Sequence, residues 1–488
     1  MSISLILTYA MLFSSALIVS TLKSKSSIYF SIILIFSSLI VNTIPLTGIL
    51  VKLKSDLFAE FVVYAMCEVI LIVGLISTLY SIKYFDSEFN SRFRLYFAII
   101  PILLATLIGL VSSSNLIYML FFLEASTALS AILVLYGERR GRAVFSVIMY
   151  LAMSIFESIL IIIGVCFLIS GYGLHFDLLD VYRLSRCGVN DWNFKVASYL
   201  ILLGFGIKAG ISPLALLWLP LVYSEAPSPV SAILSGVVTE SAYIPILKYI
   251  YSLIPMIPMD VGAFITLSGL INIFLGVLGM IIDRDIKRVI AFSSILSMGF
   301  LGLSIGLSIS MSGYEAYICI FGSALYLFAH SVAKALLFLS AGLYVKVFDE
   351  RNWLKLPMAA RSMPITSLMI ILGGVSISGS LPLFSGYYGK HMVIESMIAS
   401  GNQFYGIPSS IYEGLIYLSG IIVLCVFLGI VVVSARSGGR FMEKPDLMVV
   451  STIILALISI IVGIIYHGYL ASEFILHYSL TFKCVDSW

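Results

Sequence analysis

Charge is what this chain lacks. Only 11% of its 488 residues are Asp, Glu, Lys or Arg, less than half of the ~25% typical of soluble globular proteins. That scarcity excludes a soluble enzyme, a disordered chain and a nucleic-acid binder. Cysteine is sparse too. The six (Cys67, Cys166, Cys187, Cys319, Cys425 and Cys484) show no Cys-x-x-Cys and no metal-ligand spacing, so neither a zinc nor an iron–sulfur site is expected. Most fall in apolar runs and read as small hydrophobes. No glycine-rich dinucleotide fingerprint is present, so the chain cannot do redox chemistry itself and no cofactor is expected. The N-terminus carries no signal-peptide cleavage pattern, and Ile3–Ser20 reads as a retained span.

What is abundant is hydrophobicity, at 60% of residues, and its arrangement indicates a polytopic all-α integral membrane protein. Apolar runs separated by charged or Gly/Pro/Ser-rich breaks give about fourteen transmembrane spans: roughly 3–20, 28–50, 61–82, 95–112, 115–136, 143–170, 196–223, 228–251, 259–282, 287–309, 315–346, 364–399, 411–434 and 447–467. The longest polar connection is about 172–195. Loops after odd-numbered spans hold eighteen Lys and Arg, against six in the even loops and tail. The positive-inside rule then puts odd loops in the cytoplasm and both termini outside. A cell-membrane location follows.

Two spans are interrupted. Span 7 reads GFGIKAGISPLALLWLP and span 12 reads GGVSISGSLPLFSGYYGK. Proline removes a backbone donor and crowds the preceding turn, so both helices should break. Such breaks survive in a membrane only where protein or water lines them. Spans 7 and 12 are five apart and each carries a lysine near its break, which suggests two inverted five-helix repeats. The expected units are helices 1–3 (1–94), a first repeat (95–251), a second repeat (252–434), and helix 14 with a short tail (435–488).

Ionisable residues inside the spans mark the expected ion path, because each costs ~2.5–3.5 kcal/mol to insert. Glu124 lies well inside span 5 and is a candidate partner for a lysine. Lys208 stands just before the span 7 break. A lysine balanced between burial and a carboxylate can exchange protons near neutral pH. His330 and Lys334, four residues apart, share one helix face and can both hand on protons. Lys390 follows the span 12 break, with His391 and Glu395 beside it. Lys248, near a span end, reads as snorkelling to the interface. Glu68 and Glu157 are intramembrane but belong to no pattern the sequence reveals.

The segment LLWLPLVYSEAPSPVSAILSG resembles the antiporter-like proton-translocating subunits of complex I, membrane-bound hydrogenases and Mrp-type antiporters. Similar matches are DIKRVIAFSSILSMGF (Asp285–Phe300), HSVAKALLFLSAG (His330–Gly342) and LPLFSGYYGK (Leu381–Lys390), in family order over roughly 115–395. The resemblance implies a fourteen-helix fold and a hydrophilic axis through Glu124, Lys208, His330, Lys334 and Lys390. Glu124–Lys208 would be the regulating pair and Lys390 the terminal gate. Two departures stand out. Glu240 occupies the position where the family often has a span 8 lysine, and histidines usual near the broken seventh helix are missing. Glu240 is therefore a substitute relay, or the first half-path conducts poorly.

The function implied is an ion-translocating subunit of a complex I-like or hydrogenase-like redox pump. Its partners would be other membrane subunits, including related antiporter-like ones, and the lipid bilayer. Its cargo would be protons or Na+. The rival readings are a subunit of an Mrp-type Na+/H+ antiporter and a structural subunit with a degenerate ion path.

Overall fold

The computed structural model describes residues 3–22, 26–52, 58–85, 91–172, 191–253, 257–356, 359–401, 403–436 and 443–465. Most of the connection expected at 172–195, the end of the tail, Cys187 and Cys484 lie outside the described residues. The chain forms α1 (Ile3–Thr21), α2 (Ser26–Lys52), α3 (Phe58–Tyr84), α4 (Ser91–Ser112), α5 (Leu116–Val134), α6 (Arg140–Tyr172) and α7 (Trp192–Lys208). A 3-10 turn (Pro213–Leu217) leads to α8 (Leu219–Glu225), α9 (Ser228–Ile233), a π-helical turn (Leu234–Val238) and α10 (Thr239–Leu253). Then come α11 (Met259–Ile282), α12 (Ile286–Ser310), α13 (Tyr314–Phe348), α14 (Ala359–Ser362), α15 (Pro364–Ser378), α16 (Ser385–Ser400), α17 (Ser409–Ser434) and α18 (Leu447–Ile465). A two-residue hairpin, β1 (Gln403–Phe404) with β2 (Ile407–Pro408), joins α16 to α17. Its turn residues Tyr405 and Gly406 both have positive φ, as a tight hairpin turn requires.

Thirteen helical stretches among the described residues are long and apolar enough to cross a membrane, and Pro364–Ser378 is a shorter apolar helix. The protein is therefore a multi-pass membrane protein. Short polar residues start several spans where the sequence changes character. Asn115 accepts hydrogen bonds from the Ile117 and Tyr118 amides, Asp191 from Phe194, and Asp285 from Lys287 and Arg288. Each satisfies amides that a helix N-terminus leaves free.

Burial is inverted relative to a soluble protein. The central stretches of Ser228–Leu253 and of α12 are wholly buried, and that of α13 nearly so. Peripheral helices instead turn Phe13, Phe30, Phe145, Ile155 and Ile421 outward, as lipid contact permits. Glycines allow close helix contacts. A Cβ on Gly269 of α11 would stand 2.5 Å from the Leu303 amide of α12, and one on Gly299 would stand 2.7 Å from the Gly269 carbonyl. Only hydrogen at these positions lets the two backbones touch.

Both expected interruptions are present. α7 ends at Lys208, and the chain turns through Gly210 at φ +77° before Ser212 caps the 3-10 turn. α15 ends at Ser378 with Gly379 in the left-handed conformation, φ +65°, and α16 resumes at Ser385. Span 8 is also irregular, through the π turn immediately before Glu240. Such turns recur at functional sites, and hydrophobic periodicity gives no sign of this one.

Candidate functional site

The buried ionisable residues fall into three stations. At the first, Lys208 terminates α7 and is 1% exposed. Its ammonium lies 3.5 Å from Glu157 Oε1 on α6 and 4.3 Å from the centre of the Tyr150 ring, and it donates to Thr127 Oγ1 on α5. Glu124 does not form the expected direct ion pair with Lys208. Its carboxylate accepts from Ser154 at 2.8 Å and from Ser158 at 2.5 Å, and Ser154 Oγ is also 3.3 Å from Glu157 Oε1. The cause is helix packing. Gly204 lets α6 approach so closely that a Cβ there would stand 2.9 Å from the Glu157 carbonyl. Glu157, not Glu124, thus meets the lysine. The signal for it was in the sequence: Tyr150, Ser154, Glu157 and Ser158 fall at spacings that share one helical face.

The second station is central. Glu240 and His330 are both 0% exposed, with His330 Nε2 3.3 Å from Glu240 Oε1. Neither side chain has a hydrogen-bond partner of good geometry. Buried polar groups are normally satisfied, and exceptions point to function or to hydration. Lys334, one turn beyond His330, donates to the Ile290 carbonyl at 2.9 Å and to Ser293 Oγ, both on α12. Aromatic contacts run from the first station to the second. Tyr150 stacks on Trp218 at 5.0 Å, Trp218 meets Tyr223 edge-on at 6.1 Å, and the Tyr223 hydroxyl hydrogen-bonds Thr239, the neighbour of Glu240.

The third station is at the second break. Lys390 is 4% exposed and donates to the Ser378 carbonyl at 3.0 Å. Ser378 is the last residue of α15, so the lysine meets an unpaired carbonyl at the negative end of a half-helix. Its ammonium also lies 5.2 Å from the Tyr326 ring, whose centroid is 6.1 Å from that of His330. A cavity of about 180 Å3 lined by Ser378, Ser380, Tyr387, Lys390 and His391 opens beside it. Glu395 pairs with His391 at 3.0 Å.

Two other residues have structural settings. Lys248, half-buried, donates to the Val111 and Ser113 carbonyls at 2.5 and 2.8 Å, closing the end of α4. Glu68 accepts from Asn42 Nδ2 at 3.0 Å. On the loop side of the bundle, Arg351 lies 3.5 Å from Glu225 and donates to the Ser224 carbonyl at 2.8 Å, while Lys287 donates to the Ala226 carbonyl. These bonds hold the α8–α9 junction, a role that the sequence pattern alone did not disclose.

A buried series of lysines, carboxylates and one histidine thus lies beside two broken helices in a membrane bundle. The family described as NADH:quinone oxidoreductase/Mrp antiporter, TM, matches residues 113–412, and the chain belongs to it. Hydrogenase-4 component B of Escherichia coli is 25% identical over 429 residues, 84% of this chain and 62% of that protein. A Na(+)/H(+) antiporter subunit of Alkalihalophilus pseudofirmus is 25% identical over 434 residues, 88% of this chain and 82% of that one. An NADH-quinone oxidoreductase subunit of Neisseria meningitidis is 24% identical, covering 74% and 54%. The chain thus spans well under two thirds of several curated relatives it matches. Two solved structures share the fold. One is a chain of the membrane-bound sulfane sulfur reductase, an archaeal respiratory membrane complex (TM-score 0.81, 18% identity, 99% and 97% coverage). The other is a chain of the Mrp complex from Dietzia sp. (TM-score 0.79, 18% identity, 98% and 96% coverage).

Proposed function

We propose that the chain moves protons across the membrane as one subunit of a redox-driven assembly of the complex I or hydrogenase type, alongside related antiporter-like subunits. The observation that carries this reading is the central pair. Glu240 and His330 meet at 3.3 Å with no exposure to solvent and no other hydrogen-bond partner. An unsatisfied buried pair costs stability, and native proteins keep such exceptions chiefly where they function. Glu240 is thus a relay in place of a lysine, which argues against a decayed path.

In this reading Lys208 is the input station, Glu240, His330 and Lys334 are the middle, and Lys390 is the output, open to the cavity beside His391. Glu124 is the outermost carboxylate of the input. Conformational or electrostatic changes in neighbouring subunits disturb the carboxylates at Lys208. The lysine's proton moves on, and Lys390 releases one at the far end. Fourteen spans, two inverted repeats over 95–251 and 252–434, and both termini outside complete the proposal. The paired breaks after Lys208 and at Gly379 support the repeats.

The second reading is a subunit of an Mrp-type Na+/H+ antiporter. It is favoured by the 82% share of the Alkalihalophilus antiporter protein that aligns. Purification of the native assembly and identification of its co-subunits separates the two: hydrogenase or quinone-reductase subunits support the first, antiporter subunits alone the second. In proteoliposomes of that assembly, Lys390→Ala should abolish proton translocation while the complex still assembles. Wild-type translocation by the variant would refute the path.

A further inference from the structure

The carboxylates around Lys208 are too many for one lysine. Two, Glu124 and Glu157, share a single bridging hydroxyl, Ser154, at 2.8 and 3.3 Å. Only Glu157 touches the ammonium, at 3.5 Å. Most intrahelical serines of this bundle give their hydroxyl to a carbonyl three or four residues back, as Ser126 and Ser130 do on α5. Ser154 and Ser158 instead turn theirs to the carboxylates. Ser158 has one hydrogen, and it serves Glu124. Ser154 also has one and can donate to only one carboxylate at a time. Its contact with the other is a hydrogen bond only when that carboxyl carries a proton and donates back.

Charge gives the same count independently. With both carboxylates ionised, the site would hold two negative charges and one positive. One proton on the carboxyls makes it neutral, which burial in a membrane favours. The other groups facing Lys208 are the Thr127 hydroxyl and the Tyr150 ring, which leave that count unchanged.

We infer that Glu124 and Glu157 share one proton through Ser154, and that its position governs Lys208. With the proton on Glu124, Glu157 is the carboxylate beside the ammonium, and Lys208 keeps its charge. To reverse this, Glu124 gives its proton to Ser154 Oγ as the Ser154 hydrogen passes to Glu157. Glu124 is left ionised and the serine unchanged. Lys208 then faces a neutral acid and releases its own proton down the path. Glu157 is thus the residue that acts on Lys208, and Glu124 acts through it. The inference rests on the proposed role of Lys208, and the test keeps the two apart.

The test uses the whole purified assembly, with infrared spectra in H2O and D2O and proton translocation in proteoliposomes. The protonated-carboxyl component contributed by this pair should be lost in both Glu124→Gln and Glu157→Gln, as the same negative band in the two variant-minus-wild-type difference spectra, because the carboxylate left behind ionises against Lys208. Loss in only one variant, or in neither, overturns the shared proton. Ser154→Ala should slow translocation by about 10²-fold, on the scale of a lost proton-transfer group, and Ser154→Thr should restore most of it. Unchanged translocation in Ser154→Ala overturns the relay. If Lys208→Ala also translocates normally, the functional reading itself fails. If only Lys208→Ala is inactive, that reading stands and the shared-proton inference falls.

Discussion

Replacing Lys208 with alanine tests which carboxylate the lysine holds. The Glu157 oxygen is 3.5 Å from the ammonium and both side chains are 1% exposed. At an effective dielectric constant of about 20 the attraction is about 5 kcal/mol. Removing one member of such a buried pair costs about 3–5 kcal/mol, because the other charge is stranded. Lys208→Ala should therefore lower the thermal stability of the purified assembly by about that amount, part of it recovered if Glu157 takes up a proton. Glu157→Gln added to Lys208→Ala removes the stranded charge and should restore most of the stability. Glu124→Gln should restore much less, since Glu124 keeps its bonds from Ser154 and Ser158. A double-mutant cycle by thermal unfolding in detergent gives the coupling energy directly. Equal rescue by the two glutamine variants, or coupling to Glu124 alone, would refute the pairing.

Two further substitutions probe the scaffold. Gly269→Ala would put a methyl 2.5 Å from the Leu303 amide. The forced separation of α11 and α12 should cost about 1–3 kcal/mol, read as a lower unfolding midpoint. Glu443, 3% exposed, accepts from the Ile365 and Thr366 amides and the Thr366 hydroxyl at the start of α15. Glu443→Ala should cost about 1–2 kcal/mol, as loss of a helix cap does, and Glu443→Gln less. Hydrogen exchange at the α15 N-terminus reads it.

Much of the bundle was legible in the sequence because lipid leaves few choices. Backbone groups in a bilayer must bond within helices, so long apolar runs report spans directly. The breaks were legible for the same reason: Pro213, Pro382 and the nearby glycines mark where a helix cannot continue. Burial of Lys208, His330, Lys334 and Lys390 followed from the rarity of charge in such runs. The pairing of side chains did not follow. Glu124 and Glu157 lie on different helices, and only the approach of α6 to α7 at Gly204 decides which one meets the lysine. Lys248 looked like an interface lysine because its span position suits snorkelling. Its hydrogen bonds depend on α4 ending beside it, a long-range contact that span position does not disclose. Glu240 is the converse case. The sequence showed an anomaly at a lysine position, and the fold turned it into a contact with His330.

The most direct measurement of the buried path is proton translocation by the intact assembly in proteoliposomes with Glu240→Gln and Glu240→Ala. Glutamine keeps the shape of the side chain but cannot take up and release the proton, so both variants should lose translocation while the complex still assembles. Wild-type translocation in Glu240→Ala would show that protons cross the centre of the bundle without this residue, and would contradict the path through Glu240 and His330.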